Sequence, residues 1–416
     1  MSQLPAFAPI RQSLTTAAIT DLPGHLRPQL DALLADVSHL PDLRGKRIAV
    51  GVGSRGIGCI GEVVAITIEA LRAAGADPFI VPAMGSHGGG TAEGQRQVLE
   101  SYGIAARAPV YSDMDAQLLG ETAAGMPVYF DPHANQADGV IVVNRIKPHT
   151  GFRGDWESGL YKMLAVGLGK EKGAATMHSW GLREAIPDAA RYLIANKPIL
   201  AGIAIVENGH HAPARLEAIP AAAIEQREPV LLQEAWGHLP LIPFNDLDLV
   251  VLQAIGKDIS GSGMDLNVVG MWRRTGGLPE PRIRVLAALD LTPKSHGNAV
   301  GVGFCDLIPQ RLADQIDIHA TYTNCLTAGN FNGAKIPITL PNDRSIFDTA
   351  LAGPNPNTAR AVIVRNTLDL DTLWVSQALL AEVATNDQLT QLEPAAELIF
   401  DAAGGLRLSS SATQHA

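Results

Sequence analysis

The sequence predicts an α/β protein: two α/β domains with mainly parallel sheets and a cleft between them. Three observations carry that expectation. Runs that are apolar almost throughout, such as GVIVVNRI (139–146), ILAGIAIVEN (199–208) and LDLVVLQAIG (247–256), suit strands of sheets covered on both faces. They alternate with segments of helical period, the arrangement that lays helices over a parallel sheet. A chain of 416 residues exceeds the size at which a single core keeps growing, so two domains are expected, 1–240 and 241–416.

Taken in order, KRIAVGV (46–52) is a β-branched run ending in the glycine-rich turn SRGIG, and GEVVAITIEALRAAG (61–75) is an amphipathic helix closed by Gly75. PFIVPAM (78–84) is a second strand. TAEGQRQVLESYG (91–103) is a helix with Thr91 as its N-cap and Gly103 as its stop. After the strands at 139, 199 and 247 come IRVLAALDL (283–291), AVGVGF (299–304) and ARAVIVRN (359–366), each expected as a strand. The stretch QREPVLLQEAWGHLPLIPFND (226–246) is aperiodic and punctuated by proline, which makes it the expected crossing between domains.

Composition excludes several roles. A net charge of -10 argues against nucleic acid as a partner, because phosphate neutralisation needs clustered Lys and Arg. No apolar run approaches the ~20 residues that span a bilayer. The N-terminus MSQLPAFAPIRQSL lacks the order of a signal peptide, and the expected location is cytoplasmic. Cys59, Cys305 and Cys325 are widely separated and form no CxxC pair, which disfavours a disulfide framework or a thiolate zinc site.

In open α/β sheets the working loops sit at the carboxyl ends of strands. Four such ends join a polar side chain to glycines: GVGSRGIG with Arg55, PAMGSHGGG with His87, VVNRIKPHTGFRG with His149, and AIGKDISGSGMDLN with Lys257 and Asp258. Glycine lets backbone approach a ligand and leaves N–H groups free for anions. Together these ends suggest one shared site.

With these residues the chain resembles the nickel-dependent lactate racemases and their 2-hydroxyacid racemase and epimerase relatives. The carriers of the resemblance are Pro148-His149, the Gly-x-x-Lys step in GLYKMLAVG (159–167), and His178, 16 residues beyond Lys162. Arg55 and His87 in MGSHGG resemble that family's substrate arginine and its other catalytic histidine. The resemblance covers roughly residues 45 to 270. It implies a nickel-pincer nucleotide, a pyridinium mononucleotide whose two sulfurs and one ring carbon hold nickel. His178 is then the expected protein ligand to the metal, since neutral imidazole suits a tetragonal nickel site. Lys162 is the expected covalent tether, or alternatively a phosphate ligand; Lys170, Lys172 or Arg153 are candidates for the nucleotide phosphate. The implied reaction is racemisation or epimerisation of a 2-hydroxy acid by proton-coupled hydride transfer through a 2-keto intermediate. His87 and His149 would be the acid and base pair, Arg55 the carboxylate clamp, and Lys257 a second substrate contact. The implied partners are the small-molecule substrate and the proteins that build the cofactor.

The chain departs from lactate-acting members in its substrate contacts. Val52 stands where they carry aspartate, Gly88 where an arginine follows the first histidine, and about three extra residues, Asp155 to Glu157, separate His149 from Lys162. An enzyme not strictly specific for lactate is therefore expected. Two rival readings stand beside it. A nucleotide-binding oxidoreductase or phosphotransferase of another type would need a Gly-rich fingerprint in good context, and GVGSRGIG has no acidic residue about 20 positions on at a strand end. A non-catalytic nickel-nucleotide-binding paralogue would keep Lys162 and His178 without needing the histidine pair. His210-His211, Trp156 and Trp272 are read as structural.

Overall fold

The computed structural model describes residues 4–36, 42–53, 56–327, 329–352 and 355–408. The chain divides into two compact units, Thr15–Leu239 and Met1–Leu14 together with Pro240–Ala416. The first strand, β1 (Phe7–Gln12), pairs in the sheet of the second unit, so the expected domain 1–240 loses its first fourteen residues to the other unit. Nothing local in FAPIRQ signals that choice, because the pairing partners lie more than 350 residues away.

The unit Thr15–Leu239 contains β2 (Arg47–Val52), β3 (Asp77–Pro82), the hairpin β4 (Gln117–Glu121) and β5 (Pro127–Phe130), then β6 (Gly139–Arg145), β7 (Ile199–Glu207) and β8 (Pro213–Pro220). Its main sheet has the order β3-β2-β6-β7-β8, parallel except for the edge strand β8. Alternation along each strand feeds two cores. Ile48, Val50, Val52, Ile141 and Val143 enter one, where α1 (Leu22–Ala35) and α2 (Ile60–Ala73) bury their apolar stripes. Ala49, Val140 and Val142 enter the other. In α1 the buried positions are Leu22, Leu26, Leu30 and Leu34, an i, i+4 row on one helix face. Each such fully buried leucine contributes about 2 kcal/mol of transfer free energy.

Thr91 caps α3 (Ala92–Ser101) through the Gly94 N–H, and Gly103 ends it with φ +68°, both as the sequence requires. The short α4 (Pro132–Asn135) precedes β6. The opposite face is covered by α5 (Leu160–Lys162), a π-helical turn Met163–Gly167, α6 (Lys170–Trp180), α7 (Leu182–Asn196) and α8 (Ile224–His238).

The chain passes between the units at Leu239–Pro240, inside the stretch 226–246 expected for the crossing, but the first half of that stretch is helical and lies in α8, which runs to His238. Pro229 removes the helical donor for the Glu225 carbonyl, yet that oxygen accepts the Trp156 indole N–H at 3.1 Å, so the helix continues through the proline.

In the other unit, β9 (Leu247–Leu252), β10 (Ile283–Ala288), β11 (Leu307–Pro309), β12 (Ile338–Leu340) and β13 (Ala361–Asn366) are parallel. β14 (Asp369–Ser376), β1 and β15 (Leu389–Gln391) complete the sheet antiparallel, in the order β12-β11-β10-β9-β13-β14-β1-β15. Both units are thus α/β with mainly parallel sheets. AVGVGF (299–304) is not a strand: Gly301 adopts φ +91° and Val302–Phe304 form a 3-10 turn. Burial, and not extension, explains its apolar composition. Among the described residues no helix is long and apolar enough to cross a membrane.

Candidate active site

Two of the polar side chains that the sequence singles out follow the carboxyl ends of parallel strands in this unit, His87 after β3 and His149 after β6. Arg55 follows β2 but lies outside the described residues. His87 follows β3 in an exposed loop and is succeeded by three glycines with φ between +66° and +69°. The loop is held from within: buried Gln95 donates its Nε2 to the carbonyls of Gly85 (2.8 Å) and His87 (3.2 Å).

His149 follows β6 and is half-buried. Its Nδ1 accepts the Gly151 N–H at 3.0 Å, so the neutral ring carries its proton on Nε2. The ring packs on Phe152 at a centroid distance of 4.5 Å. The loop closes where Lys147 and Ser158 exchange backbone hydrogen bonds (2.9 and 3.3 Å). Inside it the Glu157 carboxylate, 2% exposed, accepts the N–H groups of His149 and Gly154. Desolvation raises the Glu157 pKa, against the lowering effect of those two bonds.

Each member of the Gly-x-x-Lys step has a physical reason. A Cβ on Gly159 would lie 2.1 Å from Oε1 of Glu228, so only glycine leaves room for that carboxylate. Glu228 in turn caps α5 by accepting the N–H groups of Tyr161 (3.0 Å) and Leu160. Burial pushes its pKa up to about 7. Leu160 lies against Gly202 of β7, where a Cβ would come within 2.5 Å of its side chain. Tyr161 stacks on Trp156 at 5.6 Å. Lys162 then ends α5 immediately before the π-helical turn, in which Leu168 N–H reaches the Met163 carbonyl five residues back. Such π-turns concentrate at functional sites. Lys162 is half-buried, and desolvation, with a smaller effect from Lys147, pushes its pKa down to about 8.

His178 sits exposed in the last turn of α6. The two lysines expected near a phosphate are engaged elsewhere. Lys170 is fully buried, paired with Asp131 at 3.1 Å and bonded to the Pro82 carbonyl at 2.6 Å; Lys172 is exposed and pairs with Asp115. Spacing could not reveal the Lys170 pairing, since Asp131 is contributed by α4's cap. Lys257 belongs to the other unit, where its Nζ donates to the Gly261 carbonyl at 2.8 Å. Arg153 donates to the His149 carbonyl and lies over the Trp236 ring. Among the described residues no cluster of three or more His, Cys, Asp or Glu side chains is arranged to hold a metal by itself.

Residues 59–186, which include His87, His149, Lys162 and His178, match the family model of the lactate racemase N-terminal domain. That stretch, under a third of the chain, is similar to the lactate racemase N-terminal domain. Its fold is similar to that of the lactate racemase apoprotein from Thermoanaerobacterium thermosaccharolyticum, with a TM-score of 0.54 and 13% identity over 88% of this chain and 99% of that one. Comparison with curated proteins gives no match. Around this lactate racemase-like domain, sequence reasoning passed over Lys147, Glu157 and Gln95 inside it and Glu228 beyond its end. The first two had a faint signal, a cation and an acid flanking His149 in RIKPHTGFRGDWE, whereas Gln95 and Glu228 reach the site only through tertiary packing.

Proposed function

We propose that this chain is a racemase or epimerase of a 2-hydroxy acid other than strictly lactate, and that it works with a nickel-pincer nucleotide tethered to Lys162. The observation that carries the reading is the half-buried Lys162 amine, set where α5 meets the π-helical turn and lowered in pKa by desolvation. Bond formation to a carboxyl-derived carbon needs a neutral amine, and a pKa near 8 supplies a substantial neutral fraction at physiological pH, where an exposed lysine has almost none. The residues present therefore fit the group. Lys162 would hold it covalently and His178 would complete the metal's donors, a single imidazole sufficing because the other three donors belong to the nucleotide. When bound, the cofactor supplies a site that takes and returns the substrate's α-hydride.

The chain's own residues supply the rest. His87 and His149 follow β3 and β6, the two strands that flank β2, and would exchange the hydroxyl proton, one for each enantiomer. Arg55 would hold the substrate carboxylate.

Two features support a substrate unlike lactate. Val52 is buried in the core, so that position gives no polar contact to a ligand. Gly88 adopts φ +68° and a Cβ there would meet the Gly94 and Gln95 backbone at 2.6 to 2.7 Å, which leaves no space for an arginine after His87.

The test is to produce the chain alongside the cofactor-building proteins and to measure intact mass, nickel content and loss of optical rotation across enantiopure 2-hydroxy acids and sugar acids. A mass increase that disappears in Lys162→Ala, together with racemisation or epimerisation of one member of the panel, is expected. An unmodified mass and no turnover would overturn the proposal.

A further inference from the structure

The loop that carries His149 is anchored from inside by one acid. Both oxygens of Glu157 are used by backbone donors, Oε2 by His149 N–H at 2.5 Å and Oε1 by Gly154 N–H at 3.1 Å. The residue before it fixes where that acid sits. The Trp156 indole fills the carbonyl that Pro229 leaves open in α8, and its ring is clamped between Tyr161 and the Arg191 guanidinium. The residue after it, Ser158, closes the loop onto Lys147. Glu157 is therefore held on both sides while it holds the turn His149–Gly154. Gly151 lies within that turn, and its N–H decides which nitrogen of His149 carries the proton.

We propose that Glu157 is a positioning residue for His149: by gripping the two ends of the turn it keeps the Gly151 N–H on Nδ1 and thereby sets the imidazole with its Nε2–H outward. The proposal rests on the reading of His149 as a proton-transfer group only for its kinetic consequence; the tautomer itself is a property of the protein without cofactor. A carboxylate is needed because the site offers two N–H donors and no acceptor. In Glu157→Gln the amide oxygen satisfies one donor, and the amide NH2 faces the other. In Glu157→Asp both acceptors remain on a shorter stem.

The test has two arms. In protein labelled with 15N at histidine and prepared without cofactor, the His149 ring of the unaltered chain shows a proton on Nε2 and an acceptor signature on Nδ1. Glu157→Gln moves that signature toward a mixture of tautomers, and Glu157→Asp restores it in part, with the His25 signals unchanged as a measure of folding. In loaded enzyme, Glu157→Gln lowers kcat on the order of 10- to 100-fold with KM little altered, the range expected for misplacement of a reacting group by a fraction of an ångström to an ångström. The Lys162 mass increase stays intact. An unshifted His149 signature in folded Glu157→Gln would overturn the proposal whatever the kinetics. Absence of the Lys162 adduct in the unaltered chain would instead overturn the proposed function and leave this inference standing.

Discussion

The charge of Lys147 lies close enough to Lys162 to disfavour its protonation. Desolvation is the larger influence, and together they bring the Lys162 amine down to about 8. Competitive acetylation followed by mass spectrometry across pH should give Lys162 a reactivity midpoint near 8. Lys147→Met should move the Lys162 midpoint upward by a fraction of a unit, since only the smaller influence is removed. A midpoint for Lys162 at the ordinary lysine value of about 10.4 would contradict the lowered-pKa description.

Glu228 gives a stability prediction with a definite sign. Its folded pKa, about 7, lies above the ordinary carboxyl value, so the folded state binds the extra proton between roughly 4.5 and 7. The stabilisation it contributes is complete below pH 4.5 and is lost as pH rises through 7. Glu228→Gln, which keeps an oxygen for the α5 N–H groups and cannot ionise, should therefore gain on the unaltered chain as pH rises from 5 to 8. The relative gain in unfolding free energy is about 2 kcal/mol. Urea titrations at the two pH values measure it, and a difference independent of pH would refute the assignment.

The Lys170–Asp131 pair is buried on both sides and has the Pro82 carbonyl as a third member. Removing one partner strands the other charge. Asp131→Ala should cost about 3 to 5 kcal/mol in denaturant unfolding, including the loss of the α4 cap at His133 and Ala134. Lys170→Met should cost less than Asp131→Ala, because Asp131 keeps those two backbone donors. Equal costs would mean that the cap contributes nothing.

Much of this architecture could be read from local pattern. The β-branched runs of β2, β6, β7 and β9 are buried on both faces and so are apolar almost throughout, a pattern that the 3-10 segment AVGVGF imitated. Thr91 and Gly103 bound α3 through short-range chemistry that sequence carries directly. The site was legible where one segment holds it, as in Pro148-His149 and Gly-x-x-Lys. It was illegible where distant segments meet. Glu228 lies 66 residues beyond Lys162 and is one more glutamate on an amphipathic helix until α8 packs on α5. Lys170 looked like a solvent-facing cation because the sequence shows the charge and not the buried Asp131 that neutralises it. β1 joined the wrong domain for the same reason: its partner strands follow it by most of the chain length.

Three histidines of the matched domain, His87, His149 and His178, should separate by measurement. His178→Ala, in the last turn of α6, removes the proposed protein donor to the metal and leaves Lys162 untouched, so nickel content should fall while the Lys162 mass increase persists. His87→Ala and His149→Ala act on the proton only. Both variants should keep nickel and adduct at the level of the unaltered chain and lose interconversion of the two stereoisomers, by at least about 10²-fold, the usual contribution of a positioned acid or base. Because a substitution cannot change the equilibrium constant, kcat/KM from the two stereoisomers should fall by the same factor in each variant. Initial rates from each pure enantiomer, taken with nickel content on the same preparations, decide the matter. Interconversion surviving both alanine substitutions, or nickel lost with either, would remove the proposed division of labour.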